Sequence, residues 1–221
     1  MKKKNAVMYF SVAAVCLLLF VALTVCLLFV DRKETPPTGS VVGFASINSA
    51  VFDLVGANYA LYELTQLLGY LALAVAAFLA VLGLVQLIRR RSLLAVDREL
   101  LCMAVLFIVV IAVYFAFEHM AINRRPALMP GETAPEPSYP STHTLLGVCI
   151  LVPASAYFGN RIKLPAIRIP AVFLCLAVAS VMVVCRLLSG AHWFTDIIGG
   201  LLLSGTLVSA YFGATYILSK N

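Results

Sequence analysis

Charged residues are scarce in this chain: Asp, Glu, Lys and Arg make up 12% of its 221 residues, whereas hydrophobic residues make up 62%. Runs without any charge recur along the whole length, and the mean hydropathy is +1.01. A water-soluble domain of this size does not need so much apolar surface. The sequence also lacks internal repeats and low-complexity segments. We therefore expect a polytopic membrane protein with a single domain, residues 1–221.

Closely spaced cysteine pairs are missing as well. The six cysteines lie within or at the ends of apolar runs, and none forms a Cys-x-x-Cys pair. This pattern indicates neither a disulfide framework nor a thiolate metal site. The net charge of +6 says little about nucleic acid in a membrane protein, because the distribution of Lys and Arg between loops matters more, and we expect no nucleic-acid partner.

The N-terminal region lacks the features of a cleaved signal peptide. Three lysines precede a charge-free run over residues 5–30, which is long for the apolar part of a signal and has no Ala-x-Ala-like exit. The run therefore predicts a retained first span.

Six apolar runs are long enough to cross a bilayer, which takes about 20 residues per helix. They cover residues 5–30, 64–88, 100–117, 141–158, 169–185 and 197–218. Between the first two, Phe44, Ile47, Val51 and Val55 recur at helical spacing and predict a short amphipathic helix at the interface. The predicted fold class is all-α, with six transmembrane helices in one bundle.

The distribution of positive charge predicts the orientation of these spans. Eleven of the sixteen Lys and Arg residues fall in the two termini, the loop 89–99 and the turn 159–168. Because the more basic side of a membrane protein is cytoplasmic, both termini should face the cytoplasm. Loops 118–140 and 186–196 should then meet on the outer face.

These two outer loops contain the ionisable residues with the most distinctive pattern. The second loop contains Arg186, His192 and Asp196, and an ionisable residue at the edge of a span is a functional candidate. If the segment from His192 onward is helical, His192 and Asp196 lie at i and i+4 on one face. The carboxylate could then hold one imidazole nitrogen and leave the other free to attack.

The first loop adds features that favour an anion. Arginine side chains can grip a tetrahedral oxyanion with paired hydrogen bonds. A helix that starts after Pro140 would present free N–H groups near Ser141, Thr142 and His143. Two histidines suit a displacement in which one attacks and the other protonates the leaving oxygen.

Other interpretations of these residues exist. Each motif alone is also compatible with helix capping or packing. A zinc ion could instead be bound by His119, His143, His192 and Asp196. The spacing of these residues, however, matches no metalloprotease helix. A hydrolase triad of Ser141, His143 and Asp196 lacks a nucleophile elbow. The joint occurrence of the motifs on one side of the membrane favours chemistry on an anion.

The motifs resemble those of the type 2 phosphatidic acid phosphatase family, the integral-membrane relatives of vanadium haloperoxidases and glucose-6-phosphatase. The family carries Lys-x6-Arg-Pro, then Pro-Ser-x-His, then Ser-Arg-x5-His-x3-Asp. The three blocks of this chain, which span residues 118–196 with the spacing kept, read Glu118-x6-Arg125-Pro126, Pro140-Ser-Thr-His143 and Cys185-Arg186-x5-His192-x3-Asp196.

The resemblance implies a membrane enzyme that needs no metal or other cofactor. It implies that His192 attacks phosphorus to form a phosphohistidine, that Asp196 orients His192, and that His143 protonates the leaving alcohol. It further implies a set of groups that hold the phosphoryl oxygens, namely Arg125, Ser141, Thr142 and Arg186.

Two positions depart from the family pattern. Cys185 replaces a serine, which removes a hydroxyl, and Glu118 replaces a lysine, which reverses a charge. The second change puts the identity of the substrate in doubt more than the class of reaction. We expect Glu118 to turn away from the phosphate and pair with Arg124 or His119, or to face a cationic part of the substrate.

The expected function is hydrolysis of a lipid phosphate monoester or pyrophosphate at the outer leaflet of a bacterial plasma membrane. Candidate substrates are phosphatidic acid, phosphatidylglycerophosphate and polyprenyl pyrophosphate. One alternative is a lipid phosphotransferase, in which an acceptor lipid replaces water. A second alternative is a non-catalytic lipid-binding relative.

Overall fold

The computed structural model describes residues 2–36 and 38–218 of the chain. The long helices are α1 (Lys2–Phe29), α3 (Tyr59–Arg90), α4 (Arg98–Met120), α5 (Thr142–Arg161), α6 (Pro165–Leu188) and α7 (Phe194–Leu218). The short elements are the strands β1 (Lys33–Thr35) and β2 (Ser40–Val42), the helix α2 (Ala45–Val55) and a 3-10 turn over Leu93–Ala95.

All six long helices are apolar and long enough to cross a membrane, which confirms the predicted all-α, six-span fold. The predicted amphipathic segment forms α2. Three of the six predicted spans, 64–88, 100–117 and 169–185, were short by two to five residues at each end. For example, α3 begins at Tyr59 because the side chain of Asn58 accepts a hydrogen bond from Leu61 N and caps the helix. The antiparallel hairpin of β1 and β2 was not predicted.

Helices α5 and α7 form the centre of the bundle. In the most apolar 18-residue stretch of each helix, 56% of the residues of α5 and 50% of those of α7 are buried. The corresponding shares in the other four spans are 11% to 28%. α1 packs along α7, and α6 packs along α5. The apolar faces of the outer helices are therefore left for lipid, as expected of a membrane bundle.

Small residues allow these helices to approach closely. A Cβ atom added at Gly213 of α7 would lie 2.9 Å from the ring of Phe10 on α1. One added at Gly147 of α5 would lie 3.1 Å from the sulfur of Met182 on α6. Glycine at these positions permits close helix packing in the absence of a hydrophobic driving force.

The two ends of the bundle differ in structure. The first end, which we call the site end, contains the hairpin, α2, the loop 121–141 and the loop 189–193. The opposite end contains the 3-10 turn and the link between α5 and α6. At the site end, the side chain of Asn48 donates to Thr195 Oγ1 and accepts from Thr195 N. Helix α2 is thereby fixed to the first turn of α7.

Candidate active site

His192 lies just before α7 rather than on it. The helix begins at Phe194, so the expectation that His192 and Asp196 share a helix face is wrong. The closest partner of His192 Nδ1 is the carbonyl oxygen of Ser138, at 2.9 Å, and Asp196 Oδ2 lies 3.7 Å away. Because a carbonyl oxygen can only accept a hydrogen bond, Nδ1 carries the proton. The lone pair of the neutral ring is therefore on Nε2.

Nε2 of His192 is buried and has no hydrogen-bond partner among the described residues. Burial lowers the pKa of His192 well below its usual value, and the positive charges of Arg186 and Arg125 lower this pKa further, against the opposing effect of the Ser138 carbonyl. The imidazole is therefore neutral at pH 7. Its unpartnered nitrogen is available to attack an electrophile.

Asp196 is fully buried in the first turn of α7. Its Oδ1 accepts a hydrogen bond of 3.0 Å from Asn123 Nδ2, and its Oδ2 accepts one of 3.0 Å from the backbone N–H of Trp193. The carboxylate therefore has two donors other than His192. In this structure the Ser138 carbonyl, rather than Asp196, makes the direct hydrogen bond to His192.

Arg186, near the end of α6, is also fully buried. Its Nη1 donates to Thr65 Oγ1 at 2.9 Å, and its guanidinium lies 4.9 Å from the centre of the Tyr62 ring. Nε and Nη2 have no partner within the described part of the chain. A buried cation with unpaired donors is costly, so this geometry is typical of a site that receives an anion.

Arg125 is held by carboxylates from its own loop. Its Nη1 lies 2.5 Å from Glu132 Oε1, and its Nη2 lies 3.0 Å from Glu136 Oε2. The Glu132 side chain is largely buried, whereas the Glu136 side chain is 54% exposed. Arg125 Nε has no partner in residues 2–36 and 38–218. An incoming phosphoryl group could therefore bind Nε and displace the exposed Glu136.

The residues Ser141, Thr142 and His143 open α5, as the sequence predicted. Ser141 is the N-cap: its hydroxyl accepts a hydrogen bond of 3.4 Å from Thr144 N, and its own N–H donates to Asp196 O. Thr142 and His143 line a cavity at the site end, and Nδ1 of His143 is buried without a partner in the described chain. Ser141 is fully buried.

This cavity has a volume of about 420 Å³ and two different walls. Its polar wall includes Arg125, Glu136, Thr142, His143 and His192. Its apolar wall includes Tyr70, Leu73, Tyr114, Phe117 and Leu146. The cavity therefore offers charged donors and an imidazole at one side and apolar surface at the other, which fits an amphiphile with an anionic head.

Glu118 lies on the cavity lining but does not pair as expected. Arg124 Nη1 donates to the carbonyl of Pro135, and His119 Nδ1 bonds the carbonyl of Phe115. Within the described residues, Glu118 is exposed and forms no hydrogen bond or ion pair. The expectation that Glu118 pairs with Arg124 or His119 is therefore wrong.

Two of the alternative sites find no support in the geometry. Across residues 2–36 and 38–218, no group of three or more His, Cys, Asp or Glu side chains could hold a metal ion, so the zinc site of the sequence has no ligand set. In the same part of the chain, the Ser141 hydroxyl bonds the backbone of Thr144 and no histidine. A triad built on Ser141 is therefore not assembled.

Sequence reasoning missed several residues that shape the site. Tyr62 and Thr65 contact the two arginines, Asn123 holds Asp196, and the Ser138 carbonyl holds His192. Asn123 adjoins the Arg124-Arg125 pair, which was a usable signal. The other three carry no signal in a single sequence, because a Tyr or Thr in an apolar run and a backbone carbonyl are common everywhere.

Comparisons with known proteins agree with this architecture. The profile of the PAP2 superfamily matches residues 119–217, which hold all the predicted catalytic residues. A crystal structure described as the first transmembrane PAP2 type phosphatidylglycerolphosphate phosphatase, from Bacillus subtilis, has a similar fold. Its TM-score is 0.68 at 14% sequence identity, over 94% of this chain and 98% of that one. No curated protein sequence matches the chain. The chain is a polytopic membrane protein whose residues 119–217 match the PAP2 superfamily and whose fold is similar to that of a transmembrane PAP2-type structure.

Proposed function

We propose that this protein is a membrane lipid phosphatase that hydrolyses a phosphate monoester or pyrophosphate through a phosphohistidine intermediate. The observation that carries the proposal is the state of His192. Its Nδ1 is engaged by the Ser138 carbonyl, while its Nε2 is buried, unpartnered and close to two arginines with unpaired donors. A neutral imidazole can attack phosphorus, and the two neighbouring guanidinium groups can stabilise the negative charge of the phosphoryl oxygens.

In the first step, Nε2 of His192 forms a bond to phosphorus while the bond between phosphorus and the leaving oxygen breaks. His143, on the same cavity wall, donates a proton to that oxygen. Arg125 and Arg186 bind the non-bridging oxygens, whose charge is spread in the transition state. Thr142 and the Ser141 cap place the N–H groups of the α5 start near the same anion.

In the second step, water attacks the phosphohistidine and the phosphorus–nitrogen bond breaks. His143 now accepts a proton from the water, so the enzyme returns to its initial protonation state as inorganic phosphate leaves. Asp196 and the Ser138 carbonyl both face the Nδ1 side of His192, where positive charge develops in the intermediate. Positioning and electrostatics account for most of the rate enhancement in such transfers.

The substrate is proposed to be a lipid phosphate presented at the outer leaflet of a bacterial plasma membrane. The apolar wall of the cavity suits acyl or prenyl chains beside the phosphate. The similar Bacillus subtilis structure is named a phosphatidylglycerolphosphate phosphatase, which supports that lipid as a candidate. Phosphatidic acid and polyprenyl pyrophosphate are the other two candidates. The excess of Lys and Arg at the opposite end supports cytoplasmic termini, with residues 1–221 acting as one domain.

The test is a phosphate-release assay on the detergent-solubilised protein with those three lipids, run with and without excess chelator. We expect release from at least one lipid, unaffected by chelator. Transfer of the phosphate to an added acceptor lipid would instead identify a phosphotransferase. Binding of lipid without release of phosphate from any of the three would identify a non-catalytic relative. Loss of activity in chelator with recovery on adding a divalent metal would contradict the mechanism.

The orientation is tested by labelling in intact cells. Thr133 at the site end and Ser92 at the opposite end are both exposed. Single cysteines at these positions, in a cysteine-free background, should react differently with an impermeant thiol reagent. We expect labelling of Thr133→Cys and not of Ser92→Cys, and the reverse pattern would place the site in the cytoplasm.

A further inference from the structure

We infer that one face of α3, formed by Tyr62, Thr65 and Gly69, positions the phosphate-binding arginines and the proton donor. We call these three residues the α3 face. They lie outside the segment 119–217 that matches the superfamily profile, so the match gives them no role. The inference rests on the proposed function, and it assigns the three residues as positioning residues rather than as groups that touch the substrate.

The α3 face is unusual for its helix. Residues at i, i+3 and i+7 share one side of a helix, and all three of these residues are buried. In the most apolar 18-residue stretch of α3 only 11% of the residues are buried, which is the lowest fraction among the six spans. The buried residues at the site end of this lipid-exposed helix are thus the ones that meet the catalytic groups.

Tyr62 contacts both arginines. Its ring centre is 5.8 Å from the guanidinium carbon of Arg125 and 4.9 Å from that of Arg186. Two guanidinium groups repel each other, but each is attracted to the electron-rich face of an aromatic ring. The ring therefore allows two like charges to converge on one site before an anion arrives. Its hydroxyl also accepts hydrogen bonds from Arg125 Nη1 and Gln66 Nε2.

Thr65 fixes Arg186 in one orientation. Its hydroxyl donates to the carbonyl of Tyr62 at 2.7 Å, which directs the proton away from the arginine. The same oxygen accepts from Arg186 Nη1 at 2.9 Å. This hydrogen bond anchors one nitrogen of the guanidinium and leaves Nε and Nη2 for a phosphoryl oxygen.

Gly69 completes the face by leaving room for His143. A Cβ atom at position 69 would lie 3.4 Å from His143 Cδ2 and 3.5 Å from His143 Nε2. A methyl group at position 69 would therefore make an ordinary van der Waals contact with the imidazole, which leaves no room for a larger group between this ring and α3. A branched side chain at position 69 would push this ring toward the cavity.

The first experiment removes the hydroxyl of Thr65. Thr65→Val keeps the shape and loses the acceptor for Arg186, Thr65→Ser restores the acceptor, and Thr206→Val is the control. Thr206 is a buried threonine on α7 whose hydroxyl, among the residues that the structure describes, bonds only the carbonyl of Leu202 in its own helix. The readouts are kcat and KM for the lipid substrate and the inhibition constant of orthovanadate, an analogue of pentacoordinate phosphorus.

We expect Thr65→Val to weaken orthovanadate inhibition about tenfold, equivalent to about 1.4 kcal/mol. KM should rise with it, because Arg186 would no longer be held ready for the anion. Thr65→Ser should recover most of the affinity, and Thr206→Val should stay within about twofold of the wild type. Orthovanadate inhibition of Thr65→Val equal to that of Thr206→Val would overturn the inference.

The second experiment separates the ring of Tyr62 from its hydroxyl. Tyr62→Phe keeps the aromatic face and should cost less in orthovanadate affinity than Tyr62→Leu, which removes it. This pair decides the inference if Thr65→Val does not yield folded protein, and equal affinities of Tyr62→Phe and Tyr62→Leu would overturn it. An inactive wild type would instead refute the proposed function, so the two failures are distinguishable.

Discussion

The bundle contains a cluster of charged residues at each end, and the two clusters differ in whether their polar atoms are paired. At the opposite end, Asp97 accepts hydrogen bonds from Gln86 at 2.9 Å and Tyr157 at 3.1 Å, and it lies 3.4 Å from Arg161. At the site end, Arg186 and His192 retain buried nitrogen atoms without a partner in the described chain. Polar side chains that are all hydrogen-bonded to one another stabilise the packing of their helices. Buried polar atoms without a partner are typical of a ligand-binding site.

Cavity size alone would favour the opposite end. The cavity beside Asp97 and Arg161 measures about 610 Å³, compared with about 420 Å³ for the cavity beside His192. In the larger cavity, Arg161 is already bound to Glu99 at 2.9 Å as well as to Asp97. The chemistry that a cavity can perform depends on the groups left free in its walls, so the smaller cavity is the better candidate.

The largest effect is expected from His192→Ala. Removing the nucleophile should lower kcat/KM by at least a thousandfold, about 4 kcal/mol, with little change in thermal unfolding in detergent. His119→Ala is the matched control, because His119 is exposed and, within residues 2–36 and 38–218, bonds only the carbonyl of Phe115. Labelled phosphate should be trapped on the wild type as an acid-labile adduct. Undiminished labelling of His192→Ala would exclude His192 as the nucleophile.

Matched arginine variants compare the two clusters directly. Arg125→Ala should reduce kcat/KM about a hundredfold, about 2.7 kcal/mol, because a charged donor to the phosphoryl group is lost. Arg161→Ala removes an arginine from the paired cluster and should leave kcat/KM nearly unchanged. Equal losses of activity in the two variants would mean that the arginines act only through folding.

Asp97→Asn should affect stability rather than activity. Burial raises the pKa of Asp97, but the hydrogen bond from Gln86 and the charge of Arg161 outweigh this effect and leave the pKa below its usual value. The pKa of an aspartate in the unfolded protein is about 3.9, and its pKa in the folded protein is lower here. The ionised carboxylate therefore stabilises the fold above about pH 3.9, and this stabilisation is lost as the pH falls through the pKa of the folded protein. We expect Asp97→Asn to cost about 1 to 2 kcal/mol at pH 7. Unfolding measured from pH 7 to pH 3 should show that cost shrinking; a constant cost would exclude ionisation of Asp97 as its origin.

The site end was predictable only where chemistry and spacing coincide. The catalytic motifs carry rare residue types at fixed intervals, so Arg125, His143 and His192 could be assigned to one end from the sequence. Apolar length likewise predicted the six spans, because the bilayer thickness sets that length.

The residues that pair with these groups could not be predicted in the same way. The Glu132 and Glu136 contacts to Arg125 depend on how the loop 121–141 folds back, and Thr65 meets Arg186 across 121 positions of the chain. The start of α7 at Phe194 rather than at His192 depends on the local turn in which the backbone N–H of Trp193 donates to the side-chain Oδ2 of Asp196. The contacts of Arg125 and Arg186 follow from the tertiary fold, which the pattern of a single sequence does not encode.

The smallest effect is expected at Glu118, which lies on the cavity lining and is held by no cation of the described chain. Because Glu118 is exposed, water and salt screen its repulsion of an anionic substrate, which would be about 1 kcal/mol at 4 Å in bulk water. Glu118→Gln should therefore change kcat/KM by less than about threefold, and Glu118→Lys should raise it at low salt but not at high salt. Activity of the three forms measured at two ionic strengths checks this. A loss in Glu118→Gln as large as that in Arg125→Ala would mean that Glu118 takes part in the chemistry, for instance by contacting a cationic part of the substrate.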